Sequence, residues 1–211
     1  MANNGEIHCI LWYDEIMDNT VGSLTKEEKS IIIGSVLGDG YLRIVPGRKN
    51  ALFEINSSFK QKAYIDWKYE KIGRIVITPP KQRNGKGGRI AYRFSTRQHP
   101  DLTKIYRKFY QKKEKIVPKG LKLNPLIIAV WFMDDGSKCY TSYYFNTQGF
   151  TPFYQKRLLK ILRNQYRIEG TLNKDKIYYR IRIRAESVPK LKEIINPYII
   201  PTMRYKLGKT P

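Results

Sequence analysis

Leu126-Ile127-Ile128-Ala129-Val130-Trp131-Phe132-Met133-Asp134-Asp135-Gly136 is the stretch on which the fold turns. An unbroken apolar run of this length reads as a helix buried on all sides, and it closes on an Asp-Gly pair. A shorter copy precedes it: Ile31-Ile32-Ile33-Gly34-Ser35-Val36-Leu37-Gly38-Asp39-Gly40. Both copies carry a start signal. Thr25-Lys26-Glu27-Glu28 has the spacing of a capping box, and Asn124-Pro125 puts an N-cap residue before a first-turn proline. Gly38-Asp39-Gly40 and Gly136 supply the stops. The repetition predicts two similar halves, each delivering one carboxylate from the end of a buried helix.

Those acids stand out against the composition. The 211 residues contain 40 Lys and Arg against 18 Asp and Glu, a net charge of +22, which points to nucleic acid and away from small neutral ligands. Residues 1–23 hold Glu6, Asp14, Glu15 and Asp18 but no Lys or Arg, so this acidic tail is expected to lie off an anionic ligand. Cys9 and Cys139 are far apart, which predicts a reducing compartment without a disulfide framework. His8 beside Cys9 lacks the partner ligands and spacing of a zinc motif, and His99 is the only other histidine. No stretch approaches a membrane span, and no secretory signal opens the chain, so an intracellular protein is expected. A polybasic protein on a membrane surface is the alternative, but basic residues that fall within strand patterns fit nucleic acid better than a membrane.

After each motif helix the pattern alternates between strand and helix. In the first half the segments are Tyr41–Val45, Leu52–Ser58, Gln61–Ile72, Arg89–Thr96 and Asp101–Tyr110. In the second they are Lys138–Asn146, Thr151–Tyr166, Ile168–Leu172, Lys176–Arg184 and Ser187–Ile195. Two strands show clear alternation. Tyr178, Arg180, Arg182 and Arg184 share one face, with Ile177, Tyr179, Ile181 and Ile183 on the other. Arg89, Arg93 and Arg97 likewise oppose Ile90, Tyr92 and Phe94. Solvated charge is the plain reading of one such strand. Three arginines on one face repel each other unless something anionic lies across them, and the arrangement occurs twice, which favours nucleic-acid contact. The segment 82–88 is basic and glycine-rich, fitting either a backbone clamp or a solvated hairpin tip.

The two motifs, Val36-Leu37-Gly38-Asp39-Gly40-Tyr41-Leu42 and Trp131-Phe132-Met133-Asp134-Asp135-Gly136-Ser137, resemble those of the single-chain, two-motif LAGLIDADG homing endonucleases. Lys62-Ala63-Tyr64-Ile65-Asp66, Asn146-Thr147-Gln148-Gly149-Phe150 and the segment 197–207 fit the same family in order, so the likeness covers about residues 24–208. It implies an α+β fold of two pseudo-symmetric αββαββα repeats whose sheets form a saddle over the DNA major groove. The repeats would span 24–115 and 125–211, joined by a linker at 116–124 and preceded by the tail at 1–23. Gly34 and Gly38, four apart, would let the motif helices approach closely. Val130 and Asp134 stand at the corresponding places of the second helix, so the contact is expected to be asymmetric.

Phosphodiester hydrolysis needs an aligned water and compensation for charge on the phosphate and leaving oxygen, which two carboxylates holding Mg²⁺ (or Mn²⁺) supply. A carboxylate at a helix C-terminus is disfavoured by the dipole, by about 0.3–1 kcal/mol, and a bound cation reverses that sign. Asp39 and Asp135 therefore read as metal ligands, against the alternative of two Asp-Gly turns that merely close helices. Asp134 is a rival ligand; by motif register it instead offers a backbone carbonyl, as Gly38 does in the first half, or caps the helix.

The resemblance further implies a basic residue near each scissile phosphate, at Lys115 and Lys206, and a water-positioning residue at Gln148. The matching first-half place holds Ser58, with Gln61 nearby, a departure from the family pattern. Base contacts are expected from front-face residues: Arg43, Arg48, Asn56, Lys60, Arg89 and Arg93 in the first half. In the second half they are Tyr144, Asn146, Arg180, Arg182 and Arg184. The function expected is a monomeric, site-specific double-strand DNA endonuclease acting on a long asymmetric target and leaving short 3′ overhangs. The alternatives are an intron maturase whose sheets contact RNA and a nuclease-dead DNA-binding regulator. Abundant Lys, Ile, Tyr and Asn fit an A/T-rich source, such as an organellar intron or a phage-like element.

Overall fold

The structure is a computed structural model that describes residues 21–208; most of the acidic tail, with His8 and Cys9, lies outside that range. The chain begins with helix α1 (Lys26–Leu37), strands β1 (Tyr41–Ile44) and β2 (Ala51–Ser58), and helix α2 (Lys62–Ile72). Strands β3 (Lys81–Asn84) and β4 (Ile90–Ser95) and helix α3 (Pro100–Phe109) complete the first half. A small hairpin, β5 (Tyr110–Gln111) with β6 (Glu114–Lys115), leads into the connecting segment. The second half runs through α4 (Pro125–Asp135), β7 (Gly136–Cys139), β8 (Ser142–Phe145), α5 (Pro152–Tyr166), β9 (Gly170–Asp175), β10 (Tyr178–Ile183) and α6 (Val188–Ile195). A 3₁₀ segment, Pro201–Leu207, ends the described chain.

Both halves build the same sheet. The strand orders are β1-β2-β4-β3 and β7-β8-β10-β9, antiparallel throughout. The chain is thus an α+β protein with one helix–sheet plan used twice. Both start signals work as read. Thr25 and Glu28 form the reciprocal capping box, and the Asn124 side chain accepts from the Ile127 amide with Pro125 in the first turn. The Asn124 amide also donates to Ser30 Oγ of α1 at 2.8 Å, tying the two helix starts together.

Three local expectations are corrected. Lys138–Asn146 is not one strand: Tyr140 takes a positive φ of 51° and folds the segment into the β7–β8 hairpin. The segment at 82–88 is not all loop, because Lys81–Asn84 pairs with β4 as an edge strand; its fully exposed polar residues give no alternation to read. Ile177 does not join the apolar face. It sits in the β9–β10 turn, 79% exposed, and the apolar back of β10 is Ile181 and Ile183.

The core forms where the motif helices meet the sheets. Ile128 through Phe132 are fully buried, and Trp131 stacks on Phe145 of β8 with ring centroids 4.0 Å apart. Between α1 and α4 the backbones come very close. A Cβ added at Gly34 would lie 2.7 Å from both the Ile127 carbonyl oxygen and the Val130 side chain, and one at Gly38 2.5 Å from the Asp134 Cβ. Only glycine fits there. The expected asymmetry is present: α1 contributes absent side chains and α4 contributes Val130 and Asp134.

Candidate active site

Asp39 follows the Gly38 cap of α1 and Asp135 is the last residue of α4, so crossing these helices brings both acids to one place. A cleft of about 230 Å³ is lined by Gly38, Asp39, Lys115, Asp135, Asn146 and Thr147, among others. Burial, then the neighbouring Asp134 charge, raises the Asp39 carboxyl, against Lys68, Lys206 and Lys115. Burial, then Asp39 and Asp134, pushes Asp135 up to about 8, with Lys115 and Lys206 opposing. Two acids that hold each other's protons on share a field that wants a cation.

The two lysines take equivalent positions. Lys115 Nζ donates to the Gly38 carbonyl at 2.9 Å, and Lys206 Nζ donates to the Asp134 carbonyl at 2.7 Å. Burial lowers both ammonium groups, while the carboxylates hold them up. The repeat equivalence thus extends from the acids to the lysines, although one lysine comes from β6 and the other from the terminal 3₁₀ segment. These contacts bear on the expected backbone ligands: the oxygens of Gly38 and Asp134 each already accept an ammonium, leaving one lone pair apiece for a metal.

The Asp134 carboxylate faces away from that role. Both of its oxygens accept from Lys68 Nζ of α2, at 2.7 and 3.0 Å, and the two side chains are 1% and 2% exposed. Lys68 also lies over the Tyr64 ring, whose hydroxyl donates to the Val130 carbonyl. Sequence reading missed Lys68. Its signal was present: Tyr64, Ile65, Lys68 and Ile72 share one helix face, so a lysine stands among apolar neighbours, and a second acid stands beside the motif acid.

Gln148 does not line the cleft. Its amide donates to Asp175 Oδ2 at 2.8 Å, whereas Asn146 and Thr147 do line it, and the Asn146 backbone N–H donates to the Asp135 carbonyl. In the first half, the Ser58 hydroxyl accepts from the Lys60 amide, and the Gln61 side-chain oxygen accepts from the Ser57 hydroxyl.

The remaining candidates lie on or beside the sheet fronts. Cross-strand pairing places Asn56 opposite Arg93 and Lys81 opposite Arg93, and Arg43 is ion-paired with Glu54 on the same face. Arg43, Arg93, Lys81 and Arg83 border one polar cleft there, of about 410 Å³. Lys60 and Arg89 are exposed, and Arg48 is exposed in the β1–β2 connection. In the second sheet Arg182 stands opposite Tyr144 and bonds the Ser142 hydroxyl, while Arg180 stacks over the Tyr144 ring at 4.2 Å. Arg184 is exposed just past β10. Tyr144 is 8% exposed, so it acts as a platform for Arg180 more than as a free reader.

The residues present fit a divalent ion completed by substrate. No group of three or more His, Cys, Asp or Glu able to hold a metal occurs among the described residues. Two carboxylates with raised protonation, in a cleft that Lys115 also lines and with Lys206 bonded to the carbonyl before Asp135, match an ion that keeps several waters and takes its other oxygens from phosphate.

Known proteins share the sequence pattern and the fold of this chain. Residues 29–191 match the model of the LAGLIDADG DNA endonuclease family. The cytochrome b mRNA maturase bI2 of Saccharomyces cerevisiae is 34% identical over 91% of this chain, which spans about half (50%) of that relative. A probable intron-encoded endonuclease 1 of Wickerhamomyces canadensis is 32% identical, over 88% of this chain and 85% of the relative. Among solved structures, the homing endonuclease I-WcaI bound to its DNA recognition sequence superposes with a TM-score of 0.81 at 29% identity, covering 88% of this chain and 87% of that one.

Proposed function

The chain belongs to the LAGLIDADG DNA endonuclease family, and from that premise we propose that it is a homing endonuclease that cuts both strands of duplex DNA at a long asymmetric site. One observation carries the reading: Asp39 and Asp135, from separate halves, line a single cleft with Lys115, and Lys206 Nζ bonds the carbonyl just before Asp135. The likeness to a structure bound to its DNA recognition sequence supports duplex DNA as the partner.

Divalent metal, Mg²⁺ or Mn²⁺, held by Asp39 and Asp135 would supply Lewis acidity and an activated water. The chain's own groups do the rest. The carboxylates stand at helix ends where the backbone is fixed by packing, so they need little reorganisation to engage. Lys115 and Lys206, each anchored on a motif carbonyl, present positive charge where the leaving oxygen develops negative charge. Lys68 pairs with Asp134 and offsets part of the repulsion that this third acid adds to Asp39 and Asp135. The guanidinium-bearing sheet fronts of 24–115 and 125–211, joined through 116–124, hold the duplex in register as a monomer.

Asp39→Asn and Asp135→Asn are each expected to lower cleavage by on the order of 10²–10³ or more, with duplex affinity in EDTA changed by less than about threefold. Cleavage at the wild-type rate by either variant would overturn the assignment. The maturase likeness supports a second activity on intron RNA, and an organellar intron as the source fits the abundance of Lys, Ile, Tyr and Asn, residues with A/T-rich codons. No described helix is long and apolar enough to cross a membrane.

A further inference from the structure

The sheet fronts are not the only basic surface. Helix α5 packs its Leu158 and Leu162 inward with Gln155, whose amide donates to the Thr147 and Tyr179 carbonyls. Its other side is exposed and carries Lys156 and Lys160, with Arg167 just beyond; Arg163 is also exposed there and pairs with Glu169 at 3.0 Å. No acid occurs between Pro152 and Arg167. Its counterpart in the first half, α2, is balanced: Lys62 pairs with Asp66, Lys71 with Glu27, and Glu70 is also exposed. Two helices in equivalent places thus carry different surfaces, and only that of the second half is left electropositive.

The shape differs as well. Two clefts flank α5. One, about 390 Å³, lies between the helix and the connecting segment, with Leu121 and Ile161 as apolar walls and Lys119 and Lys122 at its edge. The other, about 380 Å³, lies toward β9, with Leu159 and Gly170 and with Glu169 held by Arg163 at its edge. Lys160 and Asn164, one helical turn apart, border both clefts and form the ridge between them. Gln165 lines the first cleft, and its side-chain oxygen accepts from the Leu123 amide, which aligns its NH₂ group.

We propose that this outer face of α5, with residues 119–122, binds single-stranded RNA, one unpaired base entering each cleft and the phosphate between them crossing Lys160. An apolar-walled cleft beside a cation suits a splayed base, and a duplex, whose bases are stacked and paired, has none to offer. The Asn164 and Gln165 amides give partners for a 2′-hydroxyl, which deoxyribose lacks. Because β10 turns Arg180 and Arg182 to the opposite side of the sheet from α5, RNA and duplex DNA occupy separate faces. The inference stands whether or not the chain cuts DNA.

The test is fluorescence anisotropy with a short fluorescein-labelled oligouridylate, with and without saturating unlabelled duplex DNA, on the full chain. The RNA is expected to bind in the presence of duplex and more tightly than the matching deoxy-oligonucleotide. The triple variant Lys119→Gln, Lys122→Gln, Lys160→Gln, all exposed and outside the cleavage site, is expected to lose about tenfold or more of RNA affinity. The log–log salt slope should fall by about 2, at roughly 0.7 per single-strand phosphate contact. Duplex affinity should stay within about twofold. Displacement of RNA by duplex, equal affinity for RNA and the deoxy-oligonucleotide, or unchanged RNA binding by the triple variant would each overturn the proposal.

Discussion

Gly38 and Asp134 occupy the same step of the two motif helices, each one residue before the cleft acid, yet they do different work. Their backbones are equivalent, for each carbonyl accepts a lysine ammonium at 2.9 and 2.7 Å. Their side chains are not. Gly38 has none because the Asp134 Cβ fills its space, and Asp134 sends its carboxylate to Lys68 across the interface between halves. A duplicated fold can therefore keep its reactive geometry twofold while its packing becomes one-sided. Two large side chains cannot share a crossing where backbones touch, so one helix gave up its side chain and the other kept an acid that needed its own cation.

The strongest way to break this comparison is to remove the cation. Lys68→Met is expected to destabilise the protein by about 3–5 kcal/mol in urea unfolding, since it leaves a buried carboxylate unpaired. Lys68→Met with Asp134→Leu should recover most of that loss, because an apolar pair of similar volume avoids the desolvation cost. If the double variant is no better than the single, the pair is not what holds the halves at this point.

Next in size, Gly38→Ala should cost about 1–3 kcal/mol by driving a methyl into Asp134. Gly149→Ala has open space around it and should change stability by less than about 0.5 kcal/mol. Equal effects at the two positions would mean that the helix crossing is looser than described.

The smallest effect sharpens the electrostatic half of the comparison. Because the folded Asp135 carboxyl titrates near 8, above its ordinary value of 3.8, its contribution to stability is complete below that ordinary value. It is lost as pH rises through about 8. In a chelator, thermal stability should therefore fall from about pH 4 to about pH 8 and level off above it, and Asp135→Asn should raise Tm at pH 9 by roughly 2–4 °C. Mg²⁺ should stabilise the wild type at that pH and not the variant. A flat pH profile for the wild type would remove the mutual repulsion assigned to the acids.

Much of the plan could be read from residues alone. The repeated apolar run with its acid, the capping signals at Thr25 and Asn124, and the alternation in β4 and β10 follow from chemistry that acts within a few residues. Strand β3 was not readable because an exposed edge strand of Lys, Gln, Arg and Asn shows no periodicity. The β7–β8 turn was hidden because Tyr140 reverses the chain without glycine or proline. Gln148 illustrates a different limit. Its place in a motif suggested the cleft, but a partner on a distant hairpin, Asp175, determines where its amide points.

The sequence by itself determined that two helices end in acids, that each is followed by a sheet with a basic front, and that the partner is anionic. Those properties depend on neighbours along the chain and on summed charge. Only the tertiary structure decided that Asp39 and Asp135 share one cleft, that Lys68 claims Asp134, and that α5 is left basic where α2 is neutralised. Each of these depends on which side chains from remote segments meet in a low-dielectric space, where one ion pair or one missing Cβ fixes the partner of every group nearby.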